Sequence, residues 1–419
     1  MDVVETFGNA VDKLTDDNPA RGRWLLKTGW EAMNLKFKYL PDRRTFPSDR
    51  FLAHMMMDAM LAPLQRPEDA AMVSIFVPCE LIQEVGLNPY NVEGFSCYVE
   101  ASNAEQSCIH AAEDDGIADT LCSYHKTFIG AAQRGLMPKP RLIVYTNVSC
   151  DANMLTFRKL SDLFNVPVFN IDVPTTPCEE AVAYVERQMR DLGRFLEEHT
   201  GKRIDEDRLR QRMSLSYNTM EAYDLACQLR ADRDVPADIV SPLYCAIANN
   251  LLLGTPAEAT YVSKLLDDVM NAPAKKGKHV YWMHTVPYWS DAVKDCFKLN
   301  DRAQIVACEL GQVCAVDFDP GKPYEAMARR LVYNSFNGSA TRRIQAGIDR
   351  ARRQNVDGVV WFNHWGCKHT IGASQLAKRM FEEAGFPFLA FDGDGVDKAH
   401  GGEGQTATRL EAFLEMIGA

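Results

Sequence analysis

Seven short apolar runs punctuate the chain, at residues 71–77, 141–146, 166–171, 279–283, 303–307, 358–362 and 387–391. Each is rich in β-branched and aromatic residues and gives way to a polar stretch, the pattern of strands buried on both faces. Elsewhere apolar residues return at helical spacing. Residues 1–70 read as helical from the runs at 21–27 and 50–57, with Asp49 as a cap for the second. Met55, Met56 and Met57 read as core filling. Helices are expected at 81–85 and 103–114, and residues 116–121 read as a strand-like segment leading into Cys122. From 179 to 275 the chain is helical and heavily charged, a solvated helix face. Pro273 and Lys275-Lys276-Gly277-Lys278 mark a linker.

Strands that alternate with helices build mostly parallel sheets. Because the strand signals fall in two blocks, the expected fold is α/β with two Rossmann-like lobes, at 71–178 and 276–419. A helical N-terminal segment (1–70) and a helical connecting segment (179–275) complete the chain. Ligands of open α/β sheets sit beyond the carboxyl ends of the strands, so the cleft between the lobes is the expected site.

Composition narrows this further. A chain of 419 residues can bury two or three cores. A net charge of -11, with no basic stripe, argues against a nucleic-acid partner. No apolar run reaches the roughly 18 residues of a membrane span. The start, Met1-Asp2-Val3-Val4-Glu5, lacks the basic and apolar regions of a signal peptide, so a cytoplasmic protein is expected.

The chain has 12 cysteines. Without a secretion signal they read as thiols or metal ligands rather than disulfides. There is no CxxC pair, which argues against a zinc ribbon or a local ferredoxin-type motif. Any ligands must therefore come from loops far apart in sequence. Cys79, Cys122, Cys150, Cys308 and Cys367 all follow strand-like segments, so parallel sheets would carry all five to the carboxyl edge. Thiolates suit iron–sulfur clusters or zinc. A closed zinc site takes only four ligands and leaves a surplus, so a cluster is the preferred reading. Cys97 and Cys314 lie deeper in their loops and come next, while Cys108, Cys178, Cys227, Cys245 and Cys296 read as buried thiols. His125, Lys126, His364 and Lys368 flank the loop cysteines as candidate donors to sulfur or to a substrate. Glu80 and Glu309 each follow a cysteine directly and read as helix caps rather than proton carriers.

Three segments then carry a resemblance: Leu121-Cys122-Ser123-Tyr124-His125-Lys126, Ser149-Cys150-Asp151-Ala152-Asn153 and His364-Trp365-Gly366-Cys367-Lys368. With the tail Phe391-Asp392-Gly393-Asp394, Gln405 and residues 408–415, they resemble the 2-hydroxyacyl-CoA dehydratase and benzoyl-CoA reductase superfamily over nearly the whole chain. The resemblance implies an iron–sulfur cluster on Cys122, Cys150 and Cys367, fed single electrons by a separate ATP-hydrolysing iron–sulfur activator. Cys79 and Cys308 exceed the three ligands a dehydratase subunit needs. That surplus is most like the double-cubane cluster proteins, a homodimeric branch whose six cysteines hold two cubanes sharing a sulfide; Cys97 or Cys314 would be the sixth. The function then implied is that of an iron–sulfur oxidoreductase of anaerobic metabolism, reducing small molecules at low potential with a double-cubane [8Fe-9S] cluster. No GxxxxGK[ST] stretch is present, which leaves ATP hydrolysis to the activator. The alternatives are a lyase, a 2-hydroxyacyl-CoA dehydratase subunit with a [4Fe-4S] cluster working through a ketyl radical, and a non-catalytic electron carrier.

Overall fold

The computed structural model describes residues 3–311 and 317–419, which contain two four-stranded parallel sheets. The first joins β1 (Ala70–Val73), β2 (Asn88–Asn91), β3 (Leu142–Thr146) and β4 (Val168–Ile171) in the order β2-β1-β3-β4. The second joins β5 (Lys278–Met283), β6 (Ala303–Cys308), β7 (Gly358–His364) and β8 (Phe388–Gly393) in the order β6-β5-β7-β8. The two sheets therefore repeat one topology, and every pairing is parallel, with Met72 opposite Ile143 and Trp282 opposite Val360. This is the expected pair of Rossmann-like lobes. In each sheet the chain reverses its winding at the middle pair, β1/β3 and β5/β7, the place where such sheets open a crevice for ligands.

β1, β3 and β7 are buried along their whole length, which is why they read as unbroken apolar runs. Two strand expectations need correction, and one strand was missed. Residues 71–77 split, because β1 ends at Val73 and the Ser74 hydroxyl then accepts the Thr146 N–H at 3.2 Å. Residues 116–121 form turns, not a strand, where the Lys126 ammonium holds the Asp119 carbonyl at 2.9 Å. β2, spelled Asn-Pro-Tyr-Asn, was invisible as a strand; it lies at the sheet edge, where a proline without an N–H is tolerated.

Three N-terminal helices, Val3–Asp17, Pro19–Tyr39 and Pro47–Gln65, match the helical reading of that segment. Asp49 does not cap the third. That helix starts at Pro47, whose fixed φ suits a first helical position, and the Asp49 carboxylate instead accepts the Asp238 N–H at 3.2 Å. The helix expected from residue 103 starts at Glu105, after Asn103 in the left-handed region (φ 55). The middle of the chain forms helices Glu179–Thr200, Glu206–Leu229, Ser241–Leu251 and Pro256–Asn271. Pro47–Gln65 packs on the last two of these, and Glu179–Thr200 reaches across to the helix Pro323–Val332 of the second lobe.

One apolar core runs from Val11 to Ile417 and includes side chains of both sheets, such as Ile143 and Trp282. Met55, Met56 and Met57 lie within it. A smaller core around Ile344, Trp361 and Phe381 covers the second sheet's other face. No helix among the described residues is long and apolar enough to cross a membrane.

Candidate functional site

Three loops bring Cys122, Cys150 and Cys367 to the wall of one cleft of about 470 Å3, whose lining also includes Leu155, Lys368 and His369. Cys150 lies on the turn between β3 and the helix Asn153–Phe164. Ser149, at φ 73, turns the chain there, and the Asn153 amide closes the loop on the Thr146 carbonyl at 3.1 Å. Cys122 is the N-cap residue of the helix Ser123–Gln133. Cys367 follows β7 and precedes the short helix Lys368–Ile371. Gly366 lets this second-lobe loop meet the first lobe. It adopts φ 77, and a Cβ there would fall 2.5 Å from the Cys122 nitrogen and 2.6 Å from its Cα. A second tie crosses beside it: the Ser123 hydroxyl donates to Asp394 Oδ1 at 2.5 Å, and that oxygen also accepts the N–H groups of Val396 and Asp397.

Each of the three sulfurs faces the Nε2 of an imidazole, buried for His364 and His125 and half-buried for His284: Cys122 and His364 at 3.1 Å, Cys150 and His125 at 3.4 Å, Cys367 and His284 at 3.6 Å. The network assigns two of the tautomers. His364 Nδ1 accepts the Gly395 N–H at 3.0 Å, so its proton sits on Nε2 and points at Cys122. His125 Nδ1 donates to the Thr156 hydroxyl at 3.0 Å, because that hydroxyl's own hydrogen goes to the Ala152 carbonyl. His125 Nε2 is then the acceptor for the Cys150 thiol. Burial keeps these rings neutral, holding His125 down at about 3 and His284 well below the ordinary histidine range. Burial also pushes the Cys122 thiol far up, with Cys367 and Cys150 adding to it, and takes Cys150 to about 12. Such thiols ionise only when a cation supplies the missing compensation.

The other sequence candidates fall elsewhere. Lys126 is buried, but its ammonium pairs with Glu113 at 2.6 Å rather than with sulfur. Lys368 is exposed at the cleft. Cys79 and Cys308 are buried off the cleft, donating to the Val77 and His284 carbonyls at 3.2 and 3.1 Å. Cys97 is not in a loop but within the helix Val92–Ala101, where burial pushes its thiol to about 12. Cys314 lies outside the described residues. The expectation that all five leading cysteines follow strands fails at Cys122 and at Cys79, which follow turns, while Cys308 is itself the last residue of β6. Of the five cysteines read as buried thiols, Cys108, Cys245 and Cys296 are buried and Cys178 and Cys227 are partly exposed; the described cysteines are all free.

Glu80 and Glu309 are not caps. Each is fully buried against an arginine: Glu80 pairs with Arg330, and Glu309 grips Arg343 with both oxygens at 2.7 and 2.6 Å. The Cys-Glu repeat was legible; the arginines, each from a distant helix, were not. His284 was passed over as a site residue, although it ends a strand just as the cysteines were taken to do.

The family model for the D-component of 2-hydroxyglutaryl-CoA dehydratase matches residues 74–417. Among characterised proteins, the alpha subunit of (R)-phenyllactyl-CoA dehydratase from Clostridium sporogenes is 24% identical over 378 residues, covering 84% of this chain and 90% of its own. The alpha subunit of (R)-2-hydroxyisocaproyl-CoA dehydratase from Clostridioides difficile is 23% identical over 367 residues, covering 82% and 88%. The alpha subunit of (R)-2-hydroxyglutaryl-CoA dehydratase from Acidaminococcus fermentans is 23% identical over 308 residues, covering 68% and 61%. With the match spanning both lobes and all three cleft cysteines, the chain belongs to the 2-hydroxyglutaryl-CoA dehydratase D-component family.

Proposed function

We propose that the chain is the iron–sulfur subunit of a 2-hydroxyacyl-CoA dehydratase, with Cys122, Cys150 and Cys367 as the ligands of a [4Fe-4S] cluster in the interlobe cleft. The observation that carries this reading is the set of three thiols on one cleft wall, each backed by an imidazole. The donor set fits a cluster better than a lone ion. Among the described residues no group of three or more His, Cys, Asp or Glu is disposed to hold a single metal ion. In a cluster each thiolate binds its own iron, so the sulfurs need not converge on one point.

When bound, such a cluster supplies single electrons at low potential. The chain's own residues do the rest. The His364 N–H donates to Cys122. The exposed Lys368 ammonium offers a charge to the anionic part of a CoA thioester at the cleft. A separate ATP-hydrolysing activator and a second subunit complete the system in this reading, and loss of water from a 2-hydroxyacyl group is the net reaction.

The double-cubane reductase is the second reading. It is favoured by one observation: Cys79 and Cys308, one in each lobe, are both buried and each is followed by a glutamate held by a buried arginine. Iron and acid-labile sulfide per chain, measured on anaerobically purified protein, separate the two. About four irons support the dehydratase reading, and about eight, with sulfide in slight excess, support the double cubane. Protein that stays free of iron after reconstitution refutes both.

A further inference from the structure

We infer that His284 is a positioning residue for the sulfur of Cys367, locked by the Glu309–Arg343 pair so that its ring faces that sulfur. The inference rests on the iron–sulfur reading above. His284 follows β5 at φ 76, a conformation that is uncommon for a residue with a side chain and is held only where the surroundings impose it. Several contacts impose it here. The His284 N–H donates to Glu309 Oε2 at 3.1 Å, and its carbonyl accepts the Cys308 thiol at 3.1 Å. Glu309 is itself fixed by Arg343 through two parallel contacts. The remaining arm of Arg343 donates to the His369 carbonyl at 2.9 Å, on the short helix that begins directly after Cys367. One guanidinium thus ties the carboxylate that holds the histidine to the segment that carries the cysteine.

The outcome is a ring stacked on His364, with centroids 6.0 Å apart and planes 18° apart, and with Nε2 3.6 Å from Cys367 Sγ. Thr285 Oγ1 lies 3.2 Å from His284 Nδ1. With that hydroxyl donating, the ring proton sits on Nε2 and points at sulfur. An N–H aimed at a ligating sulfur draws charge from it and favours the reduced cluster. The stacked pair His284 and His364 would then serve one cysteine from each lobe.

Two readouts test this, on His284→Leu and on His284→Gln, whose amide keeps a donor at similar reach. In the iron-loaded protein, the cluster's midpoint potential, followed by electron paramagnetic resonance, is expected to move to more negative values in His284→Leu at undiminished iron content. It should return toward wild type in His284→Gln. In the metal-free protein at one fixed pH, the rate at which iodoacetamide labels Cys367, read by mass spectrometry, is expected to fall several-fold in His284→Leu and recover in His284→Gln. If His284→Leu does not fold, Arg343→Lys keeps the charge, loses the contact to His369, and should move both readouts in the same direction. A wild-type potential in iron-replete variants, or an unchanged labelling rate, overturns the inference. Because labelling needs no metal, an iron-free wild type would refute the cluster reading while leaving this test intact.

Discussion

At Gly366 two costs coincide, a left-handed backbone and a neighbouring main chain with no room for a methyl group. Gly116 shares only the first: its φ is 85, and nothing lies within 4 Å of the added carbon. Gly116→Ala should therefore lose about 1–2 kcal/mol, the backbone cost alone. Gly366→Ala should lose clearly more, because the Cys122 backbone cannot step aside, and denaturant midpoints would show the difference. Equal losses would mean that the two lobes do not bear on each other there. Cysteine variants act at the same scale. Serine at Cys122, Cys150 or Cys367 is expected to remove most of the bound iron, whereas serine at Cys79 or Cys308 should leave it intact if the cluster has three ligands. A full loss at Cys79 or Cys308 would favour the double cubane. These three cysteines were legible because their loops carry distinctive neighbours. His284 was not, because its role depends on a backbone angle and on a carboxylate 25 positions away, neither of which leaves a local pattern.

Among the elements, the helix Pro256–Asn271 shows how a familiar signature can mislead. Thr255-Pro256-Ala257-Glu258 has the spacing of a capping box, in which the glutamate reaches back to the threonine N–H. Here the Leu252 carbonyl already holds that N–H at 3.1 Å, and the glutamate turns inward, fully buried with neither oxygen bonded among the described residues. Burial pushes its carboxyl up to about 8. A group whose folded value is raised binds its proton more tightly in the native state, so its contribution to stability is complete below the unfolded value. That contribution is lost as pH climbs through the folded value. Stability should thus fall between roughly pH 4.5 and 8, and Glu258→Gln should flatten that slope, as chemical denaturation across the range would show. An unchanged slope would mean that water or another partner reaches the carboxylate. The Glu309–Arg343 pair makes a different prediction. Arg343→Met strands a buried charge at a cost of about 3–5 kcal/mol, and adding Glu309→Gln should recover part of it. Strand positions were largely readable because both faces are buried. The paired arginines were not, since sequence marks charge but not the partner it will meet.

Across the whole molecule, the shared core and the ties at Gly366 and Asp394 make one cooperative body of two repeated sheets. Calorimetry should therefore find a single transition whose van't Hoff and calorimetric enthalpies agree; two resolved transitions would contradict the common core. The two-lobe plan was legible because each lobe repeats the alternation of strand and helix. How the lobes meet was not, because that depends on a glycine and a serine hydroxyl.

The division of the cleft thiols between lobes has a consequence for the order of events during synthesis. Cys122 and Cys150 leave the ribosome with the first lobe, whereas Cys367 emerges only with the second. A stalled or truncated product would carry two of the three thiols and lack the second-lobe loop that brings the third. On the proposed reading, iron delivery must wait until the second lobe has been made, so occupancy of the cleft certifies that synthesis passed Cys367.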